Sequence, residues 1–239
     1  YSCTQLAQAG YTVSFLDRRG SGLNDRARGD APNFRRLLDD IAEFLTCSPL
    51  HPLTPSRTFL IGISWGGKLA VALPRYRPGL VDGVVLICPG FFPRVTARQK
   101  RLAFFASVIG LIRPTMRFPI PLDDPELFTT TPRWQRFLRD DTLALHKASG
   151  RFLGASLHLD RYLQYVPRHF HLPALLMLAE KDRIIDNGPT RRFFARLASA
   201  DKRIIEYAGT HHTLEFEREP DFFINDLIGW LQRHDAPTG

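Results

Sequence analysis

The chain has 239 residues, of which 44% are hydrophobic, enough for one domain with a sizeable core or one domain with a large insertion. No apolar run reaches the roughly 18 residues that a membrane-spanning helix needs, and low-complexity tracts and repeats are absent. A formal charge of +8 favours contact with anionic surfaces, but no nucleic-acid recognition motif accompanies it, so no nucleic-acid partner is expected.

Cys3, Cys47 and Cys88 are odd in number, far apart and match no zinc or redox spacing. Reduced thiols and a cytoplasmic setting are the expectation. The chain opens on Tyr1, so no amino-terminal signal can be read, and the oligomeric state stays open.

Residues Ser2 to Ala9 read as the tail of a helix closed by Gly10, a residue suited to the left-handed stop. Thr12 to Leu16 is expected to be a short buried strand, running into the polar turn Asp17-Arg18-Arg19-Gly20-Ser21-Gly22. Phe34, Leu37, Leu38, Ile41 and Leu45 then form one stripe of an amphipathic helix, with Asp30 as its expected cap and Pro32 in its first turn. A Pro-rich loop from Pro49 to Pro55 leads to the strand Phe59-Leu60-Ile61. After Gly62-Ile63-Ser64-Trp65-Gly66-Gly67 comes a helix from Lys68 to Leu73, which Pro74 and Pro78 are expected to break. Val81 to Ile87 is another buried strand.

Strand, helix, strand, helix, strand is the alternation of an α/β protein with a mostly parallel sheet flanked by helices. From Pro89 to about His171 the rhythm fails. Prolines are frequent, no clear strand is visible, and the helical patterns Trp134 to Leu145 and Phe152 to Val166 are interrupted by loops. The alternation resumes with a strand at Ala174 to Ala179, a helix at Pro189 to Leu197, a strand at Arg203 to Tyr207, and a helix from Asp221 to about Gln232. The expected division is a core at 1–90 and 172–239, with a helical insertion at 91–171 over the sheet edge.

In parallel sheets, reacting groups collect where strands end. Gly62-Ile63-Ser64-Trp65-Gly66 is Gly-x-Ser-x-Gly between strand and helix, the context of a nucleophile elbow. Gly62 and Gly66 are the expected sites of close backbone approach, and the Trp65 N–H is the expected donor to developing negative charge. Asp182 follows the strand at Ala174 to Ala179, and His211-His212 follows the strand at Arg203 to Tyr207. The order Ser, Asp, His is that of a catalytic triad, in which an imidazole takes the serine proton and a carboxylate fixes the imidazole. Asp186 is the rival acid but suits the cap of the helix near Pro189; spacing does not choose between His211 and His212. His169-Phe170-His171 lacks a carboxylate or cysteine partner, so no metal site is expected there. Asp39-Asp40, Asp123-Asp124 and Asp140-Asp141 read as solvated faces.

Together these pieces resemble the α/β-hydrolases of the monoacylglycerol lipase, lysophospholipase and serine-aminopeptidase-like group. The matching segments are Gly10-Tyr11, Asp17 to Gly22, Gly62 to Gly67, Ala179 to Ile184 and His212-Thr213-Leu214-Glu215-Phe216-Glu217. The resemblance assigns the base to His212, because the family's histidine directly precedes a Thr-Leu or similar pair, and makes the insertion a cap that shapes an acyl site. It implies a serine hydrolase with Ser64, Asp182, His212 and the Trp65 N–H in its site. The implied substrate is a small-molecule acyl ester, and no metal or organic cofactor is implied. An aminopeptidase on the same fold, using Glu126 or Asp140-Asp141 to hold an amine, and a non-catalytic binding protein are the alternatives.

The family's His-Gly loop, which donates the first oxyanion amide, is absent from this sequence. The resemblance places that loop and its strand upstream of Tyr1. Residues 1–239 alone are therefore expected to be poorly soluble or inactive, with the segments at Thr12 to Leu16 and Phe59 to Ile61 facing a gap. Between Phe91 and Ile120 six basic residues (Arg94, Arg98, Lys100, Arg101, Arg113, Arg117) and no acid are interleaved with Phe91, Phe92, Phe104, Phe105 and Phe118. That pattern suits either a surface that settles on anionic lipid or a solvated cap whose aromatics face inward.

Overall fold

The computed structural model describes residues 1–47, 57–94 and 96–235, so the loop Pro49 to Pro55 lies outside the described residues. Four parallel strands form the central sheet: β1 (Phe59–Ile63), β2 (Gly83–Ile87), β5 (Ala174–Ala179) and β6 (Lys202–Tyr207), side by side in the order β1-β2-β5-β6. Two further strands, β3 (Arg117–Pro119) and β4 (Lys147–Ser149), pair antiparallel outside it. The central pair is apolar at every position because both of its faces are covered. Alternation still sorts the side chains. Val84, Leu86, Leu176 and Leu178 point into one core, with α2 (Phe34–Cys47), α3 (Gly66–Tyr76), α6 (Gly150–Leu163) and α7 (Asn187–Ala195). Val85, Ile87, Leu175 and Met177 point into the other, with α1 (Ser2–Gln8) and α8 (Asp221–Asp235).

Several expectations are corrected. Thr12 to Leu16 forms no strand, and none of its N–H groups donates to a backbone carbonyl among the described residues. A strand exists only through a neighbour's hydrogen bonds; among the described residues β1 is bonded on one side only, by β2, and Phe15 is exposed. Asp30 does not cap α2. Asn33 does, its Oδ1 accepting from Arg36 N at 2.9 Å, and Pro32 precedes the helix. α3 continues through Pro74 to Tyr76, since the buried face from Gly67 to Leu73 holds the turn that proline leaves one bond short. The insertion contains β3 and β4, each too short for a periodic pattern to reveal.

The segment between β2 and β5 also carries α4 (Ala97–Ile112), α5 (Pro132–Asp140) and two short 3-10 turns at Pro125–Leu127 and Pro167–His169. α4 packs on the start of α6 where Gly110 meets Gly150: a Cβ on Gly110 would lie 2.5 Å from the Gly150 carbonyl carbon. The buried Lys68 ammonium of α3 reaches Asp160 of α6 at 2.6 Å, joining the helix after Ser64 to the base of the insertion.

Asp30, freed from capping, ties the loop after the Asp17 turn to α6. Ser149 Oγ donates to it at 2.5 Å and the Arg151 guanidinium clamps both carboxylate oxygens. Burial alone would raise the Asp30 pKa, but hydrogen bonds from Arg151 and Ser149, with the Arg151 charge, outweigh it and hold the carboxyl below its ordinary range. A depressed carboxyl pKa stabilises the fold above the unfolded value of about 3.9, and the gain disappears as pH falls through the folded value. Asp30→Asn is therefore expected to cost about 1–3 kcal/mol at pH 7. Denaturant titrations at a series of pH values should show that difference shrinking below pH of about 4. A constant difference across the range would remove the ionic contribution.

Candidate active site

The site is built on a backbone turn. Ser64 sits between β1 and α3 at φ +47°, a left-handed conformation that L-residues avoid. Its N–H donates to Ile87 O at 3.0 Å, and its carbonyl accepts from Gly67 N and Gly90 N at 2.9 and 2.7 Å. Gly62 has no room for a side chain, since a Cβ there would lie 2.6 Å from Ala70 Cβ. The second close approach is at Gly67, against Pro89, and not at Gly66, where a Cβ would meet nothing. The consecutive Gly66-Gly67 pair hid which glycine was essential.

Ser64 Oγ lies 2.9 Å from His212 Nε2, and His212 Nδ1 lies 2.7 Å from Asp182 Oδ2. The other Asp182 oxygen accepts from Ile184 N and Ile185 N, both at 2.8 Å. Asp182 and His212 are buried, while Ser64 keeps a solvent-facing side. The acid and histidine loops are stitched together, with Lys181 N donating to Thr210 O and Gly209 N to a Glu180 carboxylate oxygen. Asp186 is the cap of α7, its side chain accepting from Gly188 N. His211 turns away from Ser64, and its ring and backbone N–H both engage Glu217 Oε1. Two adjacent histidines thus have unlike surroundings that spacing could not distinguish.

The insertion contributes to the same place. Thr213 N donates to Phe128 O, Thr129 Oγ1 donates to Phe216 O, and the Phe128 ring stands edge-on to the His212 imidazole at 5.9 Å. Trp134 of α5 stacks on Phe216 at 4.5 Å. These supports were not legible in the sequence, because residues more than 80 apart carry them. The Trp65 N–H donates to no partner among the described residues and stands at the start of α3. The Trp65 indole, in contrast, is fixed by Ser156 Oγ at 3.2 Å.

Cys88, at φ +42° just past β2, lies beneath this chain of hydrogen bonds. Its Sγ, an Asp182 oxygen and a His212 nitrogen converge within 4.8 Å, the only such trio with metal-ligand atoms among the described residues. The set suits a metal poorly. Burial first, and the Asp182 charge second, push the thiol pKa well above its ordinary value, and Asp182 is already committed to His212. His169 and His171 are exposed and join no such group.

A parallel sheet carrying serine, acid and histidine on loops that follow three of its strands defines the α/β-hydrolase class. The whole-chain comparisons agree. The chain matches Hydrolase_4, described as serine aminopeptidase, S33, over residues 1–219, and it belongs to that family. It is 26% identical over 235 residues to a monoacylglycerol lipase of Mycolicibacterium smegmatis, covering 96% of this chain and 81% of that one. It is 24% identical over 261 residues to lysophospholipase L2 of Escherichia coli, covering 98% and 76%. In structure it is similar to a monoacylglycerol lipase of Paleococcus ferrophilus, with a TM-score of 0.85 at 24% identity over 98% of this chain and 88% of that chain. The family is one of lipase- and esterase-like hydrolases.

The three thiols test the packing of the site. Cys47 is exposed, Cys3 partly buried and Cys88 buried. Alkylation followed by mass spectrometry is expected to mark Cys47 first and Cys3 more slowly. Cys88 should react only once denaturant opens the core. Rapid modification of Cys88 in the folded protein would contradict this packing.

Proposed function

We propose that the protein is a serine hydrolase of carboxylic esters bearing an acyl chain, of the lysophospholipase or monoacylglycerol lipase kind. The observation that carries this reading is the continuous hydrogen-bonded series from Asp182 through His212 to Ser64. Ser64 Oγ attacks the ester carbonyl while His212 Nε2 takes its proton, and Asp182 stabilises the resulting imidazolium. The Trp65 N–H is one donor to the oxyanion. His212 then protonates the leaving alcohol, and a water activated by the same imidazole hydrolyses the acyl-enzyme. Residues 91–171 are the cap over the acyl site, the core being 1–90 and 172–239.

The aminopeptidase alternative needs a free carboxylate facing the site. Glu126 is exposed and leans toward Arg183 at 3.9 Å, Asp141 accepts from Leu143 N, and Asp140 is exposed at the end of α5, so no contact favours that role. A fluorophosphonate probe on the full-length protein should label Ser64 and leave Ser64→Ala unlabelled; absence of labelling would favour a binding protein. With acyl esters and aminoacyl amides as the substrate panel, His212→Ala should lower kcat by about 10⁴–10⁶, and His211→Ala by less than about tenfold. The reverse pattern would move the base to His211.

We also propose that the surface of α4 settles on an anionic bilayer. No described helix is long and apolar enough to cross a membrane. Yet Leu102, Phe105, Leu111 and Ile112 face outward, with Ile112 83% exposed, while among the described side chains of α4 Ala106 and Gly110 are the buried ones. Arg101 on α4 and Arg113 at its end are exposed, as are Arg94 and Arg117, whose guanidinium groups donate to Ile185 O and Arg28 O, and the side chains of Arg98 and Lys100 lie outside the description. Phe91 is buried, so the aromatics divide between core and surface. Exposed apolar side chains with arginine on the same helix fit the interface of an anionic bilayer. In vesicle sedimentation at low salt, anionic liposomes should retain the protein, and Leu111→Asp with Ile112→Asp should release it. Equal binding to zwitterionic liposomes would refute the anionic preference.

A further inference from the structure

The turn after the unpaired Thr12 to Leu16 segment delivers a cation to the nucleophile's neighbour. Arg18 Cζ lies 5.1 Å from the Trp65 ring centre and 4.6 Å from that of Phe152, rings that are themselves 5.2 Å apart. Trp65 directly follows Ser64, and its indole is anchored on α6 by Ser156. Arg18 is thus fixed by aromatic faces, one of them on the residue that follows the serine.

Among the described residues its charge has no counter-ion. The Arg18 side chain makes one hydrogen bond among the described residues, from Nη1 to Arg19 O at 3.3 Å, and no ion pair among them. The neighbouring arginines differ: Arg19 is bidentate on Asp40, and Arg151 is bound to Asp30. The adjacent Asp17 is spent on Leu23 N. Burial lowers the Arg18 pKa to about 10, with no acid raising it, so the group stays charged at neutral pH in a partly desolvated position. The ring faces offset some of that cost, but they satisfy the plane of the guanidinium and not its N–H edge. The nitrogens without a bond are not sealed in the core, so the edge remains open to a ligand. A planar fork of N–H donors matches the oxygens of phosphate or carboxylate.

We propose that Arg18 is a specificity residue that selects acyl esters carrying an oxyanion, a phosphate in the alcohol part or a carboxylate on the acyl part. This rests on the ester-hydrolase reading and deepens it. Two matched pairs distinguish the sources: 1-acylglycerol 3-phosphate against 1-acylglycerol of the same chain, and 4-nitrophenyl hemiadipate against 4-nitrophenyl hexanoate. At least one pair is expected to show kcat/KM tenfold or more in favour of the anionic member, and that pair identifies the source. Arg18→Gln should bring the ratio close to one, while Arg18→Lys keeps part of it. A ratio near one in both pairs for the natural protein, or an equal fall of both members in Arg18→Gln, overturns the proposal and leaves Arg18 a packing residue. A binding readout separates this outcome from failure of the hydrolase reading. Ser64→Ala should bind the anionic ligand of the favoured source at least tenfold more tightly than its neutral match by calorimetry, octyl phosphate against octanol or monoethyl adipate against ethyl hexanoate, and Arg18→Gln in that background should abolish the difference. Equal affinities in Ser64→Ala would likewise overturn it.

Discussion

At φ +47° Ser64 occupies a backbone region whose cost, about 1–3 kcal/mol, must be met by its surroundings. Hydrogen bonds to Ile87 O and from Gly67 and Gly90 supply that constraint, and they form only because Gly62 and Gly67 let β1, α3 and the Pro89 segment close on one another. The consequence reaches well beyond the turn. The register of β1 with β2, Ile63 opposite Ile87, fixes where the hydroxyl emerges. The register of β5 with β6, Ala179 opposite Tyr207, sets where the acid and histidine loops begin.

The histidine loop shows how the insertion and the sheet share one task. Thr213 and Phe216 are bonded to Phe128 and Thr129, and Trp134 covers Phe216, so α5 and the turn before it press on the segment that holds His212. Below, the amides of Ile184 and Ile185 occupy one oxygen of Asp182 and leave the other for the imidazole. A carboxylate satisfied in this way has a fixed orientation, which is what its partner needs in order to hold one tautomer.

Charge is distributed unevenly over this frame. Asp30 with Arg151, Lys68 with Asp160, and Asp40 with Arg19 and Arg36 join helices and loops around the base of the insertion. Burial raises the Asp160 pKa even against the nearby Lys68, so that pair is a positioning contact more than a source of stability. Arg18 departs from this pattern of pairing and rests instead on the faces of Trp65 and Phe152.

Periodicity and punctuation in the sequence determined the alternating α/β order, the four central strands and the helices flanking them, and they put Ser64, Asp182 and the His211-His212 pair just past strand ends. Each of those signals is local: an apolar run bounded by turns, a Gly-x-Ser-x-Gly at a strand end, an acid or a histidine just past a strand. Tertiary structure decided what depends on a distant partner. It left Thr12 to Leu16 without a ladder, gave the cap of α2 to Asn33 and Asp30 to Arg151, and made Gly67 rather than Gly66 the point of contact with Pro89. It turned His211 toward Glu217 and His212 toward Ser64, although the two are neighbours in the chain. Side-chain direction and pairing are set by what packs against a residue, and that information lies elsewhere in the chain.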